Sequence, residues 1–427
     1  MSSRKRAAAP TADRLIVGIG QLVTPAGPGA KRGPQQAELL VLPDAALAVT
    51  DGMVSWLGPA AAWRGKAGDE VDLGGRAVVP GLVDPHTHLL WAGDRFDDLD
   101  DRTSGVSYER ILARGGGIRS TVRATAAAEP GVLLRLARRR LSDLVSSGAT
   151  TVEVKSGYGH TVDAELALLE VIDELRNAAA VRVVPTLLIH VPDADDRAGH
   201  VRAVVERLIP EVASRALAAR LDVFIEREAF GLGEAERIVR AGQAHGFDLA
   251  LHTDQFHAIG GVELAVRFGA RSVDHLEAAG VEQIDQLRQS TSVATLLPGA
   301  SLELGLPPAP GRALIDAGVP VALATDLNPG SSPLFSSALA LALSLRINRL
   351  RPAEALVAAT ANAAAALGLA DVGWLGVGAR ANLVVLPEGD WRALPHGLGG
   401  PGPLETYAGG VRLAPGSAVA GGEDGSP

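Results

Sequence analysis

The sequence predicts an α/β protein: a (β/α)8 TIM-like barrel carrying a small β-sandwich domain formed by both chain termini. Three observations lead there. Between residues 78 and 326, short Val/Ile/Leu-rich runs alternate with stretches of helical spacing, the pattern of repeated βα units around a parallel sheet. Eight such runs occur, the strand number of a closed barrel, whose roughly 250 residues fit one domain. The segments on either side read instead as short strands with Gly/Pro turns and little helical periodicity.

The elements follow in order. Residues 1–12 are expected to be a disordered tail, because MSSRKRAAAPTA is basic and lacks the apolar stretch of a secretory leader. Residues 13–77 contain RLIVGIGQLV, ELLVL and GMVSWLG and form the first part of the β domain. The barrel is expected over 78–370. Its strands are VVPGLVDPHTH (78–88), TTVEVKSGYG (150–159), RVVPTLLIH (182–190), LDVFIERE (221–228), DLALHTD (248–254), SVDHLE (272–277), VATLLPG (293–299) and VALATD (321–326). Runs such as LLRLARRRLSDLVSSG and VDAELALLEVIDELRNAA supply helices between them, with a last helix around 352–367. Residues 371–415, with GVGARANLVVLPEG and TYAGGVRLA, return to the β domain, and 416–427 read as a second disordered tail.

Composition narrows the function. The 427 residues carry a formal net charge of −9 with both signs interspersed, which gives no basic footprint for nucleic acid or an anionic membrane. The longest apolar stretch, SSALALALSLRINRL at 336–350, falls short of the roughly 20 residues that span a bilayer and reads as a buried barrel helix. Cysteine is absent, so a metal has only His, Asp or Glu to hold it, and the chain fits a cytoplasmic protein.

Seven of the eight runs end in polar or ionisable residues: His86 and His88, Lys155 and Tyr158, His190, Glu226 and Glu228, His252 with Asp254, His275, and Asp326. In a (β/α)8 barrel these ends converge on one face, where active sites are built. His-x-His on an extended segment places both imidazoles on one side. Together His86, His88, His252 and Asp326 offer an all-nitrogen-and-oxygen ligand set for one divalent metal ion per chain, zinc or iron(II), with room for a water or substrate.

Several motifs carry a resemblance. PGLVDPHTH, GGGIRSTVRAT, TTVEVKSGYG, DVFIERE, LHTDQF, SVDHLE and ALATDLNPGSS resemble the amidohydrolase superfamily and, within it, the imidazolonepropionase family of histidine degradation. The resemblance spans nearly the whole chain, including the split β domain. It implies hydrolysis of the cyclic amide C–N bond of 4-imidazolone-5-propanoate to N-formimidoyl-L-glutamate by a metal-activated water, and a homodimer. It carries the metal ligands onto His86, His88, His252 and Asp326. Substrate contacts carry over to Arg95, Tyr158, His190, Asn328, Gly330 and Ser331; by their chemistry His275, Asp326 and Gln255 are the catalytic candidates, with Gln255 also a candidate substrate contact.

The chemistry of these residues is consistent with the implied roles. A guanidinium such as Arg95 can bind the carboxylate of a small anionic heterocycle bidentately, and Tyr158 and His190 offer hydrogen bonds to a polar ring. Asn328-Pro329-Gly330-Ser331 is a turn by composition. His275 is favoured for orienting and deprotonating the water. Lys155 is not assigned as a bridging metal ligand and is left open between a structural ion pair or loop anchor and a functional role, and RGGGIRS at 114–120 is read as a positioning loop over the barrel mouth. His160 could approach the site from the SGYG loop; His200, His245, His257 and His396 read as surface or packing residues. Two points depart from the family pattern. Many members carry glutamate where this chain has Gln255, an amide that orients but cannot act as a base. TLLIHVPDADD around His190 lacks the usual small residues. Two other readings share the same residues: another amidohydrolase acting on a different cyclic amide or deaminating a nucleobase-like ring, and a barrel scaffold without catalysis.

Overall fold

The computed structural model describes residues 11–106, 110–111, 114–399, 402 and 405–414. The expected C-terminal tail, 416–427, and residues 1–10 of the N-terminal one lie outside the described residues. Residues 11 and 12 already belong to the first strand, β1 (Thr11–Pro25), followed by β2 (Leu39–Thr50), β3 (Met53–Pro59) and β4 (Lys66–Pro80).

Eight parallel strands then make the barrel: β5 (Leu82–Asp84), β6 (Ala149–Lys155), β7 (Arg182–Ile189), β8 (Arg220–Ile225), β9 (Asp248–Thr253), β10 (Ser272–His275), β11 (Val293–Leu296) and β12 (Val321–Leu323). They lie side by side in chain order. Each is shorter than its expected run: Lys155, His252 and His275 stay in the ladder, while His86, His88, His190 and Asp326 lie in the loops beyond it. The ring is completed past the strand ends, where His88 N–H donates to Leu327 O at 2.9 Å and Asp326 N–H to His86 O at 3.0 Å.

The first expected strand, 78–88, is two elements. Val78, Val79 and Pro80 still pair within the terminal sheet, and the barrel begins at Leu82. Gly81 makes the passage: a Cβ there would lie 2.2 Å from Thr150 Oγ1, so only glycine lets the chain pass that close to β6. The chain returns to the terminal sheet with β13 (Leu383–Val385), β14 (Glu405–Ala408) and β15 (Val411–Arg412). That sheet has seven strands in the order β15-β14-β13-β4-β1-β2-β3. It encloses its own cluster, including Ile16, Ile19, Leu22, Leu47, Val78, Leu383 and Tyr407.

Helices cover the outside of the barrel. The one over Pro130–Ser146 starts with Pro at its first turn and buries Leu133, Leu134, Ala137, Leu141 and Leu144, the three-and-four spacing of an amphipathic face. The one over Val162–Ala178 is capped by Thr161, whose side chain accepts from Ala164 N–H. The expected last helix, 352–367, is two short ones, Pro352–Ala358 and Ala361–Ala366, because Thr360 leaves helical geometry at φ −134°, ψ −93°. The stretch at 336–350 contains a helix, Ser337–Ile347, whose Ala340, Leu341 and Ala342 are buried. Among the described residues no helix is long and apolar enough to cross a membrane.

Candidate active site

Closure of the barrel and assembly of the site are the same event. The backbone groups that join the first and last strands belong to His86, His88 and Asp326, and the side chains of these residues meet over the barrel. His86 Nε2 lies 3.5 Å and His88 Nε2 3.3 Å from Asp326 Oδ1, and His252 Nε2 lies 3.4 Å from His88 Nε2. His275 joins them: ligand atoms of His86, His252 and His275 fall within 4.8 Å of one another, as do those of His86, His88 and Asp326. All five residues are buried.

Two of these atoms, His86 Nε2 and Asp326 Oδ2, are buried with no hydrogen-bond partner among the described residues. Such orphan atoms cost free energy unless something pairs with them, and a divalent cation in an imidazole and carboxylate cradle does so. The imidazoles are prepared for it from behind. His86 Nδ1 lies 2.7 Å from Asp274 Oδ2 and His252 Nδ1 2.8 Å from Asp222 Oδ2, and a carboxylate placed behind a ring in this way favours the tautomer with the proton on Nδ1 and Nε2 free. Burial holds both rings neutral: it pushes His86 well below the usual histidine range, helped by the Lys155 cation, and brings His252 down to about 4 despite Asp222. Neutral imidazole is the form that binds metal.

Sequence reasoning missed Asp222 and Asp274. Their signal was an ionisable residue in the body of an apolar strand, LDVFIE and SVDH, where a charge has no place without a partner. Lys155 belongs to the same layer. Its Nζ is 2.7 Å from Glu153 Oε2 and 2.8 Å from Asp222 Oδ2, with all three side chains buried. Burial alone would lower the lysine pKa, but the two carboxylates outweigh it and raise it. Lys155 is thus an ion-pair anchor beneath the imidazoles.

The backbone at the cluster is strained. Asp254, His275, Leu276 and Asp326 have φ of 57°, 85°, 70° and 52°, a region that costs roughly 1–3 kcal/mol for a side-chain-bearing residue. Hydrogen bonds across the strand ends hold it, including Leu276 N–H to Thr253 O at 3.2 Å and Ala278 N–H to Asp254 O at 2.7 Å.

His190 lies just past β7 and stacks on His88, ring centroids 5.1 Å apart at 28°, while Tyr158 sits 5.5 Å from His190 and 6.0 Å from His88. Gln255 is buried two residues past β9. His275 Nδ1 faces Glu277 Oε2 at 3.4 Å. Burial lowers the His275 pKa, and the Glu277, Asp326 and Asp274 carboxylates more than offset this and raise it.

Arg95 reaches the loop after β12. A Cβ on Gly330 would lie 3.0 Å from Arg95 Nη1. Its Nε is taken by Asp98, and Nη1 lies 3.4 Å from Thr121 Oγ1. The Asn328 amide is consumed by its own loop: Oδ1 accepts from Gly330 N–H at 2.8 Å and Ser331 N–H at 2.7 Å, and Nδ2 donates to Asp326 O at 2.7 Å. That side chain shapes the Gly330-Ser331 backbone.

Other strand-end residues serve the scaffold. Glu226 accepts from the Phe256 and His257 amides and from His257 Nδ1, and Glu228 is exposed. His160 does not join the cluster; it packs with His200, ring centroids 5.8 Å apart, in a cavity of about 290 Å³ beside His190. His245 and His396 are exposed.

Residues 111–412 match the Amidohydrolase family. The chain is 56% identical over 401 residues to an imidazolonepropionase of Deinococcus radiodurans, covering 94% of this chain and all of that one. It is 46% identical over 413 residues to one of Rubrobacter xylanophilus, covering 94% and 99%. Its fold is shared by an adenosine deaminase from Xanthomonas campestris solved with bound zinc, at TM-score 0.74 and 19% identity over 97% of this chain and 96% of that one. A guanine deaminase of E. coli aligns at TM-score 0.68 and 17% identity over 94% and 98%. With a family match over most of its length and relatives this similar from end to end, the chain belongs to the amidohydrolase family and, within it, to the imidazolonepropionases.

Proposed function

We propose that the chain hydrolyses the ring C–N bond of 4-imidazolone-5-propanoate, giving N-formimidoyl-L-glutamate, with one zinc or iron(II) ion per chain. The observation that carries this reading is the coincidence of two things in one mouth: the buried His86, His88, His252 and Asp326 cluster and, at its rim, Arg95 against Gly330. The first suits hydrolysis and the second suits a substrate with a carboxylate. Held by His86, His88, His252 and Asp326, a divalent cation would supply Lewis acidity, polarising a carbonyl and lowering the pKa of water towards about 7.

The residues of the chain do the rest. Arg95 takes the propionate through its Nη groups. His190 and Tyr158 orient the ring, and Gln255, an amide, holds ring or water in place without exchanging protons. The Asn328-tied turn offers Gly330 and Ser331 backbone to the substrate. His275, with Nδ1 directed at Glu277, uses Nε2 to take the proton of the attacking water and to return it to the departing ring nitrogen, while Asp326 stays an anion beside it. The carbon–oxygen bond forms at the ring carbonyl as the adjacent carbon–nitrogen bond breaks, so the ring opens without loss of atoms. A homodimer and a cytoplasmic location complete the proposal and rest on the family resemblance and the lack of cysteine.

The test is a spectrophotometric assay of freshly generated imidazolone propionate beside a panel of cyclic amides and aminopurines. Preferential consumption of the imidazolone is expected. Preferential turnover of an aminopurine would favour the deaminase reading instead.

A further inference from the structure

Asp98 stands between the glycine-rich turn and Arg95. It sits in the first turn of the helix Phe96–Thr103, is 8% exposed, and accepts from Arg95 Nε and from Gly117 N–H, the latter at 3.2 Å to Oδ2. A carboxylate so buried is stable only when paired and hydrogen-bonded, and here the guanidinium and the turn supply both. Gly116 lets the turn close over it, since a Cβ there would come within 2.8 Å of Asp98 Oδ1.

The opposite side of Arg95 is also fixed. Nη1 lies 3.4 Å from Thr121 Oγ1, and a Cβ on Gly330 would come within 3.0 Å of it. From the far end of the same helix, Arg102 Nη1 donates to Gly330 O at 3.3 Å and Nη2 pairs with Glu303 at 2.5 Å. Helix, glycine-rich turn and the loop after β12 are therefore joined by two guanidinium groups, Arg95 through Asp98 and Arg102 through Gly330 O. An arginine side chain left to itself samples many rotamers, and ordering it on binding would weaken the complex.

We infer that Asp98 is a positioning residue for the carboxylate of the substrate: it holds Arg95 so that the Nη1/Nη2 edge meets the propionate, and so sets the preference for acidic over neutral rings. This rests on the reading of Arg95 as the carboxylate partner. It assigns the GGGIRS stretch a purpose as well, because the Gly117 amide is the second anchor of the Asp98 carboxylate.

The experiment compares Arg95→Ala, Asp98→Ala and Asp98→Asn on imidazolone propionate and on its carboxamide analogue, with thermal unfolding of each variant. Asp98→Ala should raise KM for the acid about tenfold, the worth of one orienting charge-assisted hydrogen bond. KM for the carboxamide should move by less than about twofold, a change within the scatter of such contacts. Asp98→Asn, which keeps an acceptor for Arg95 Nε, should recover most of the loss. If Arg95→Ala is selective for the acid but Asp98→Ala is not, the positioning role is overturned while the Arg95 reading stands. If Arg95→Ala weakens acid and carboxamide alike, the Arg95 reading falls and Asp98 falls with it. A common loss on both compounds with lowered unfolding temperature in both Asp98 variants would make Asp98 a purely structural residue and overturn the proposal.

Discussion

Asp222 stands directly behind His252, its Oδ2 2.8 Å from the imidazole Nδ1, and the same oxygen lies 2.8 Å from Lys155 Nζ. One carboxylate on β8 thus ties the His252 ring on the adjacent β9 to a buried cation on β6, two strands away on the other side. Orientation of the ring and stability of the barrel interior depend on it together.

Replacing Asp222 by asparagine keeps the shape and removes the charge. Loss of a carboxylate behind a ligating imidazole typically costs 10–100-fold in metal affinity, and a loss of about that size is expected in competition with a chromophoric chelator. Unchanged affinity would show that Asp222 serves only Lys155.

Lys155→Met separates anchoring from ligation. It leaves Glu153 and Asp222 buried without their cation, and removing one partner of a buried ion pair costs about 3–5 kcal/mol. Denaturant unfolding should show that loss, while the folded fraction still takes up its metal because Asp222 and His252 remain paired. Loss of the metal with stability unchanged would make Lys155 a ligand.

His275→Ala removes the proposed proton carrier and should lower kcat by about 10²–10⁴-fold, the usual worth of general acid–base catalysis, with metal content retained. Gln255→Ala should act mainly on KM. A larger fall in kcat for Gln255→Ala than for His275→Ala would reverse the two assignments.

Much of this site was legible in the sequence because a barrel turns a local pattern into a global one. Apolar runs ending in His or Asp had to converge, and His86, His88, His252, His275 and Asp326 do. What was not legible lies one contact further out. Asp222 and Asp274 sit inside strand bodies, where period-two patterning says that they face inward but not which imidazole they meet. The pairing of Arg95 with Asp98 depends on where a helix starts, a boundary that composition does not define. The same holds for 78–88, whose single apolar run hides the passage at Gly81 from one sheet to another. The turn at Asn328 was read correctly as a turn, yet its amide is spent on Gly330 and Ser331, which only the folded loop reveals.

In the proposed reaction water attacks the ring carbonyl of imidazolone propionate and the ring opens at the adjacent nitrogen. The most direct measurement is mass spectrometry of the product formed by metal-loaded protein in water enriched in oxygen-18. The expected product is N-formimidoyl-glutamate carrying a single heavy oxygen, located in the carboxylate next to the nitrogen-bearing carbon, with no ammonia released. Release of ammonia, or a product with the ring intact, would contradict it.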